Sequence, residues 1–344
     1  QQQEKKDFAA YIQSEIANRF HQLHQLLQTP ASKLSNEKKD LKNRLRKGKS
    51  ILVKEFGKSR NLMSPLELLS SEAYLWIEVL KPVILGSPYS IAKSIPFQGN
   101  LFDLVIFDEA SQIPLPHALG SIARSEKIVV AGDEQQMAPS FYFKKGVTKS
   151  ADLLHQVSYY WKNCFLKHHY RSVHPDLISF SNRYFYENQL LAYPKYGAEK
   201  PVQLISINGV YSKNVNLKEA QAVAQLIEEK VAKKMYNFGV VAFSHTQLDA
   251  IIKCLSPKTQ QLLIGNESNE LFFKSLENVQ GDECDHLIIS LGYSYNEEGR
   301  FSMQFGPLNK INGHRRLNVL MSRARKELTF IRSVRSADFS ISEN

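Results

Sequence analysis

The chain is poor in cysteine. Cys164, Cys254 and Cys284 are the only three in 344 residues, and no two of them form a CxxC pair. That excludes a disulfide-stapled framework, argues against a zinc module, and reads as ordinary buried or half-buried thiols in a reducing compartment. Long apolar runs are missing too. No stretch approaches the roughly 18 to 20 consecutive apolar residues of a membrane span, and the opening QQQEKKDF lacks the apolar region of a signal peptide. The reading is a cytoplasmic protein without membrane contact. Acidic residues are in deficit, 34 Asp and Glu against 44 Lys and Arg, for a net charge of +10. Such a balance favours an anionic partner, nucleic acid above all. Residues 1–60 carry fourteen basic and six acidic residues, a surplus of eight. That run suits phosphate contact and a solvated helical surface equally well.

A phosphate-binding loop, GxxxxGK[ST], is also lacking. Gly48-Lys49-Ser50 has the right ending, but Asn43 stands where the first glycine belongs, and the basic helix formers LKNRLRK precede it instead of a strand.

What the chain does have is 43% hydrophobic content, ample core for two domains at this length. Its organising stretch is LFDLVIFDEASQ, Leu101 to Gln112. The apolar run Leu104 to Phe107 ends abruptly in Asp108 and Glu109, the pattern of a buried parallel strand presenting two acids at a sheet edge, where open α/β sheets bind ligands. An Asp there suits Mg²⁺ and an adjacent Glu suits an attacking water; alone, the pair is also what an acidic strand end or helix N-terminus looks like. A second strand, Lys127 to Ala131, follows a helix-compatible ALGSIAR and ends in Gly132 and Asp133. A crossover of that length makes the strands parallel and predicts that Asp108, Glu109, Asp133 and Gln136 line one edge.

With those residues in view, the chain resembles helicase superfamily 1 proteins related to the nonsense-mediated-decay RNA helicase. DEASQ (Asp108 to Gln112) is similar to their motif II and GDEQQMAPS (Gly132 to Ser140) to motif III, with Met137 and Ala138 replacing Leu and Pro. HYRSVHP (His169 to Pro175) is similar to their QYRMHP element, ENVQGDECD (Glu277 to Asp285) to motif V, and RRLNVLMSRAR (Arg315 to Arg325) to motif VI. ENVQGDE, FGPLN and RRLN also resemble the large bacterial members, which often carry a nuclease-like domain elsewhere.

The resemblance implies ATP and Mg²⁺ as cofactors and single-stranded DNA or RNA as partner. It implies Asp108 for the metal, Glu109 for the attacking water, Gln136 as a further catalytic residue beside them, Arg171 and Arg323 on the terminal phosphate, and Tyr170 against the adenine. Asp133, Gly281, Glu283 and Arg325 join them as nucleotide-binding candidates, Gly281 because it leaves the backbone free to approach a phosphate. Ser87, Ser90 and Gln247 are the nucleic-acid candidates, although a Ser-Pro turn needs no ligand to explain it. ATP is expected in the cleft between two domains. Two further classes stay open: a nucleic-acid-binding scaffold with a degenerate nucleotide site, and the motor part of a larger nuclease or defence system.

The expected fold is α/β, with RecA-like parallel sheets. A basic helical hairpin and linker helix occupies residues 1–80, the C-terminal part of a first RecA-like domain 81–165, a complete second one 166–335, and a tail 336–344. Within the hairpin, Phe8, Ile12, Ile16, Phe20, Leu23 and Leu27 recur every three or four positions on one stripe, and Leu34, Leu41, Leu45, Leu52 and Phe56 form a second stripe beyond Pro30. Strands are predicted at 83–85, 202–207, 238–244, 261–264 and 286–291, and a single helix is predicted to carry Arg315, Arg316, Arg323 and Arg325. Tyr159-Tyr160-Trp161 reads as core packing or domain contact in preference to base stacking. Lacking the phosphate loop, this 344-residue chain is expected to be an inactive core fragment of an ATPase.

Overall fold

A computed structural model describes residues 2–137, 152–193, 200–264 and 271–339. It divides into two compact units, Gln1–Ala131 with Thr148–Leu153, and Gly132–Val147 with Leu154–Asn344.

The first unit opens with the expected hairpin, α1 (Gln2–Gln28) and α2 (Asn36–Phe56). Ser35 caps α2 by accepting from the Lys38 N–H, and the buried Lys42 ammonium holds the Thr29 carbonyl at the exit of α1. Only the inner part of the two stripes is covered. Leu45 is fully buried, whereas Phe8, Ile12 and Phe56 are exposed. The hairpin packs on α4 (Tyr74–Leu80), which follows the short α3 (Pro65–Leu69), so the expected linker helix is broken in two. Trp76 is the hinge pin: its indole N–H donates to the Leu45 carbonyl at 2.8 Å, and its ring meets Phe20 edge-on at 5.7 Å.

Residues 83–85 do not form the predicted strand. They run unpaired with Val83 and Leu85 exposed, before α5 (Pro88–Ser94). An apolar run becomes a strand only beside a partner edge, and here none is paired with it. β1 (Phe102–Phe107) and β2 (Ser125–Val130), joined by α6 (Leu115–Ile122), are parallel as expected, with Leu104 opposite Lys127 and Phe107 opposite Val130. β1 is less buried than its sequence implied, because a two-stranded sheet leaves Leu104, Ile106 and Val129 exposed. The buried Arg124 ties this region together, donating to the carbonyls of Ile95, Pro96 and Gly120.

The second unit holds α7 (Leu153–Ser158, whose first residue is grouped with the first unit), the short pair β3 (His168–His169) with β4 (Leu191–Ala192), and α8 (Asp176–Phe185). There follow β5 (Val202–Ser206), the short pair β6 (Tyr211–Ser212) with β7 (Val215–Asn216), α9 (Leu217–Ala232), β8 (Phe238–Ala242), α10 (His245–Cys254) and α11 (Pro257–Ile264). β9 (Phe272–Ser275), β10 (Cys284–Ser290), α12 (Gly313–Met321) and β11 (Ala324–Arg332) complete it. The main sheet runs β5-β11-β10-β8-β9, parallel throughout. The central strands β8 and β10 are covered on both faces and read as apolar runs, whereas the edge strand β5 leaves Val202 and Leu204 exposed. Val240, Ala242, Ile288 and Ile331 face α9 and α10, while Val241, Leu287, Ile289 and Leu328 pack in the cluster that contains Leu177 of α8 and Val319 and Leu320 of α12.

Three predictions fail here. The predicted strand 261–264 is the end of α11, started by Pro257 with the Ser256 hydroxyl accepting from the Thr259 N–H; the strand comes later, as β9. The motif VI helix stops at Met321, so Arg323 lies beyond its end and Arg325 is in β11. Tyr159, Tyr160 and Trp161 are exposed and so do not pack in the core, although Tyr159 meets His155 edge-on; Cys164 is exposed as well.

Candidate nucleotide site

Asp108 and Glu109 follow β1 directly. Glu109 takes a left-handed backbone conformation, φ 51° and ψ 39°, which costs a non-glycine residue about 1 to 3 kcal/mol and clusters at functional positions. Its N–H donates to Asp108 Oδ1 at 2.9 Å, and Gln112 Nε2 donates to Glu109 Oε2 at 3.3 Å. Both carboxylates are exposed at the strand's carboxyl end. Mg²⁺ is commonly held by one or two carboxylates, water and substrate phosphates, and Asp108 fits that donor set: its Oδ1 accepts from the Glu109 N–H, and its carboxylate is exposed.

Asp133 and Gln136 lie with the second unit. Asp133 organises its loop: Oδ1 accepts from the Gln135 N–H at 2.9 Å, and Oδ2 accepts from Gln136 Nε2 at 2.9 Å and from the Tyr186 hydroxyl at 2.5 Å. Ala138 to Ser140, the end of the motif III match, fall outside the described residues.

Four motif residues far apart in sequence meet at the amino ends of β10 and β11. Arg171 Nε pairs with Glu283 at 3.0 Å, and Glu283 also accepts from Arg325 Nη1 at 3.3 Å. Arg325 Nε in turn pairs with Asp285 at 2.9 Å, which Lys326 approaches at 2.7 Å. Burial pushes the Asp285 carboxyl up, but Lys326 and Arg325 outweigh it and hold the group below the usual carboxylate range. The loop bearing Arg171 is pinned from both sides. The Val173 N–H donates to the Arg325 carbonyl, and the Ser172 N–H donates to His169 Nε2, which puts the imidazole proton on Nδ1. Burial and then Arg171 push His169 below its ordinary value, so it stays neutral.

Tyr170 stands out into solvent, 87% exposed, a free face for a base. Gly281 has a φ of +87° and open space where a side chain would project, so it is kept for its conformation and leaves room beside the loop. Arg323 is different. It is 3% exposed and spends its guanidinium on the carbonyls of Val319 and Asp282 and on the Ser322 hydroxyl.

The nucleic-acid candidates make local bonds. Ser87 caps α5, accepting from the Ser90 N–H at 3.2 Å, with the two hydroxyls 3.0 Å apart. Gln247 is 1% exposed and bridges the Asn216 backbone and the Ser290 hydroxyl. It belongs to a buried polar cluster at the carboxyl edge of the sheet, centred on Glu219, which accepts from Ser290, Ser333 and the Gly292 N–H. Asn216 caps α9 by accepting from the Glu219 N–H, but no reciprocal capping box forms, because the Glu219 carboxylate is committed to the strand ends. Gly48-Lys49-Ser50 lies inside α2, where Gly48 is pressed against the Glu72 carbonyl, so it does not form a phosphate-binding loop. Among the described residues no group of three His, Cys, Asp or Glu side chains suits a metal, and no helix is long and apolar enough to cross a membrane.

Each unit carries its own parallel sheet, with acids directly after β1 in the first and arginines gathered at the amino ends of β10 and β11 in the second. Residues 150–335 match the family described as AAA domain. The chain belongs to that family and to helicase superfamily 1, in the branch related to the nonsense-mediated-decay RNA helicase. It is similar to "Uncharacterized ATP-dependent helicase MG140" of Mycoplasma genitalium, 33% identical over 77% of this chain and 26% of the relative. It is also similar to two proteins of Schizosaccharomyces pombe: "Helicase sen1", 25% identical over 67% of this chain and 14% of the relative, and "DNA replication ATP-dependent helicase/nuclease dna2", 26% identical over 71% and 19%. The chain therefore spans about a quarter of the length of the Mycoplasma relative.

Proposed function

We propose that the chain is part of an ATP-driven translocase or helicase acting on single-stranded DNA or RNA. The observation that carries this is the ion network of Arg171, Glu283 and Arg325, which brings three motifs to one place across more than 150 residues of sequence. Arginine suits a terminal phosphate because its fork of donors is fixed and always charged. In this reading Asp108 holds Mg²⁺, Glu109 and Gln136 orient the attacking water, Arg171 and Arg323 neutralise charge on the phosphates, and Tyr170 stacks on the base. Asp133, Gly281, Glu283 and Arg325 hold these groups in place, and Ser87, Ser90 and Gln247 line or support the nucleic-acid path. The relative named as a helicase/nuclease supports a nuclease domain elsewhere in the full-length protein.

Phosphoryl transfer is catalysed mainly by positioning and charge stabilisation, and the phosphate cradle supplies much of both. The 344 residues contain no GxxxxGK[ST] segment, so we expect this chain by itself to turn ATP over negligibly. The burial of Arg323 favours a second reading, a nucleic-acid-binding scaffold with a degenerate nucleotide site. One experiment separates the two: ATPase assays of the full-length protein and of this chain, with single-stranded DNA and RNA, each with and without Glu109→Gln. The motor reading expects nucleic-acid-stimulated turnover only in the full-length protein, reduced about 10² to 10⁴-fold by the substitution with Mg-ATP binding retained. Near-normal turnover in Glu109→Gln, or none in the unsubstituted full-length protein, would sink it.

A further inference from the structure

We propose that Tyr186, just beyond the end of α8, is a positioning residue that locks the Gln136 loop to α12, so that the motif III glutamine and the motif VI arginine are held as one piece. This rests on the reading of Gln136 and Arg323 as phosphate-side groups.

The Tyr186 hydroxyl makes two bonds, each in the direction its chemistry allows. It donates its one proton to Asp133 Oδ2 at 2.5 Å and accepts from Asn318 Nδ2 at 2.9 Å. Asn318 gives its other amide proton to the Gln135 carbonyl at 3.0 Å. A carbonyl can only accept, which fixes the Asn318 nitrogen on that side. Asp133 then holds Gln136 through Nε2. A carboxylate likewise can only accept, so Gln136 is left to present its carbonyl oxygen and one N–H, the pair needed to accept a hydrogen bond from water and donate one to a phosphate oxygen. The chain of bonds runs from Gln136 through Asp133 and Tyr186 to Asn318, which directly precedes Val319 and lies about one helical turn before Ser322, the two residues that hold Arg323.

Two features set this apart from routine packing. Asn318 is fully buried, yet its Oδ1 has no partner among the described residues, so the amide is kept for its donors at the cost of a stranded acceptor. Tyr186 remains a donor throughout the working range, because burial and the neighbouring Asp133 push its phenol well above its ordinary value, with Arg323 acting the other way.

The test is Tyr186→Phe in the full-length protein, which removes one oxygen and keeps the ring. Hydrogen exchange at the Gln135 and Gln136 amides should quicken by about tenfold, the effect of losing a bond to a charged group, with β10 amides unchanged as the control for global loosening. Stimulated ATPase kcat should fall by about tenfold while KM for ATP stays within about twofold. Asn318→Leu, which removes both donors without adding a polar group, should reproduce both results. Unchanged exchange at Gln135 and Gln136 would overturn the tether. Faster exchange with unchanged kcat would overturn its role in positioning. Failure of the underlying ATPase reading shows elsewhere, as normal turnover in Glu109→Gln, a variant that leaves this tether intact.

Discussion

Glu219 gives the sharpest stability prediction. It is fully buried in the first turn of α9, and it receives the Gly292 N–H at 2.6 Å, the Ser290 hydroxyl at 2.8 Å and the Ser333 hydroxyl at 3.1 Å. Burial pushes its carboxyl up to about 7 from an ordinary 4.5, the three donors opposing but not cancelling the shift. The sign follows from which state holds the proton. Between pH 4.5 and 7 the unfolded chain releases the Glu219 proton and the folded chain keeps it, so rising pH favours unfolding. The stabilisation present below pH 4.5 is lost as pH passes through about 7, and about 3 kcal/mol is at stake at roughly 1.4 kcal/mol per pH unit. Glu219→Gln keeps the size and most of the bonds and removes the titration. Denaturant unfolding of both proteins from pH 4.5 to 8 should show the stability difference moving by about 3 kcal/mol in favour of the variant, with all other groups cancelling in the comparison. A difference that stays constant across that range would refute the reasoning and mean that Glu219 is ionised throughout.

Two other outcomes are expected. Gly48→Ala would normally add about 1 kcal/mol to a helix interior, but here the new methyl would sit 2.2 Å from the Glu72 carbonyl oxygen and 3.1 Å from Trp76; separation of α2 from α4 should cost about 1 to 3 kcal/mol instead, and a raised Tm would show that the crossing is loose. Replacing the exposed Arg46, Lys49 and Lys54 of α2 by Gln should lower the slope of log affinity against log salt by about 2 for single-stranded nucleic acid, whereas an unchanged slope assigns those charges to a solvated surface.

The sequence was most legible where local pattern and tertiary burial agree. The hairpin follows from apolar spacing and from the break at Pro30, and β8 and β10 from continuous apolar runs covered on both sides. It was least legible where an apolar run depends on a neighbour. Val83 to Leu85 has the composition of a strand and no edge to join, and Gln261 to Ile264 continues a helix whose start is set by Ser256 and Pro257. β11 was hidden because RRLNVLMSRAR reads as one helix. The break at Ser322 becomes visible only when Leu328, Thr329, Phe330 and Ile331 are weighed as a β-rich run.

The same distinction governs the site. Motif spacing identifies Arg171, Glu283 and Arg325 but not that they bond to one another, and it does not show that Tyr186, Asn318 and Glu219 bridge buried groups, because a polar residue in or beside an amphipathic helix looks the same whether its partners are protein or water. Arg323 shows what residue identity leaves undecided. Its donors serve two carbonyls and a hydroxyl, and bonds from a charged group are worth about 1.5 to 3 kcal/mol each. Phosphate offers stronger, charge-assisted acceptors, so the exchange can be favourable only if the last turn of α12 and the Asp282 loop move together with the side chain. The Tyr186 and Asn318 bonds fix how far that helix can shift without dragging Gln136 along. A nucleotide that draws Arg323 out would therefore also reset the motif III loop, and the burial of this arginine is a reason to look for coupled motion in place of a static phosphate contact.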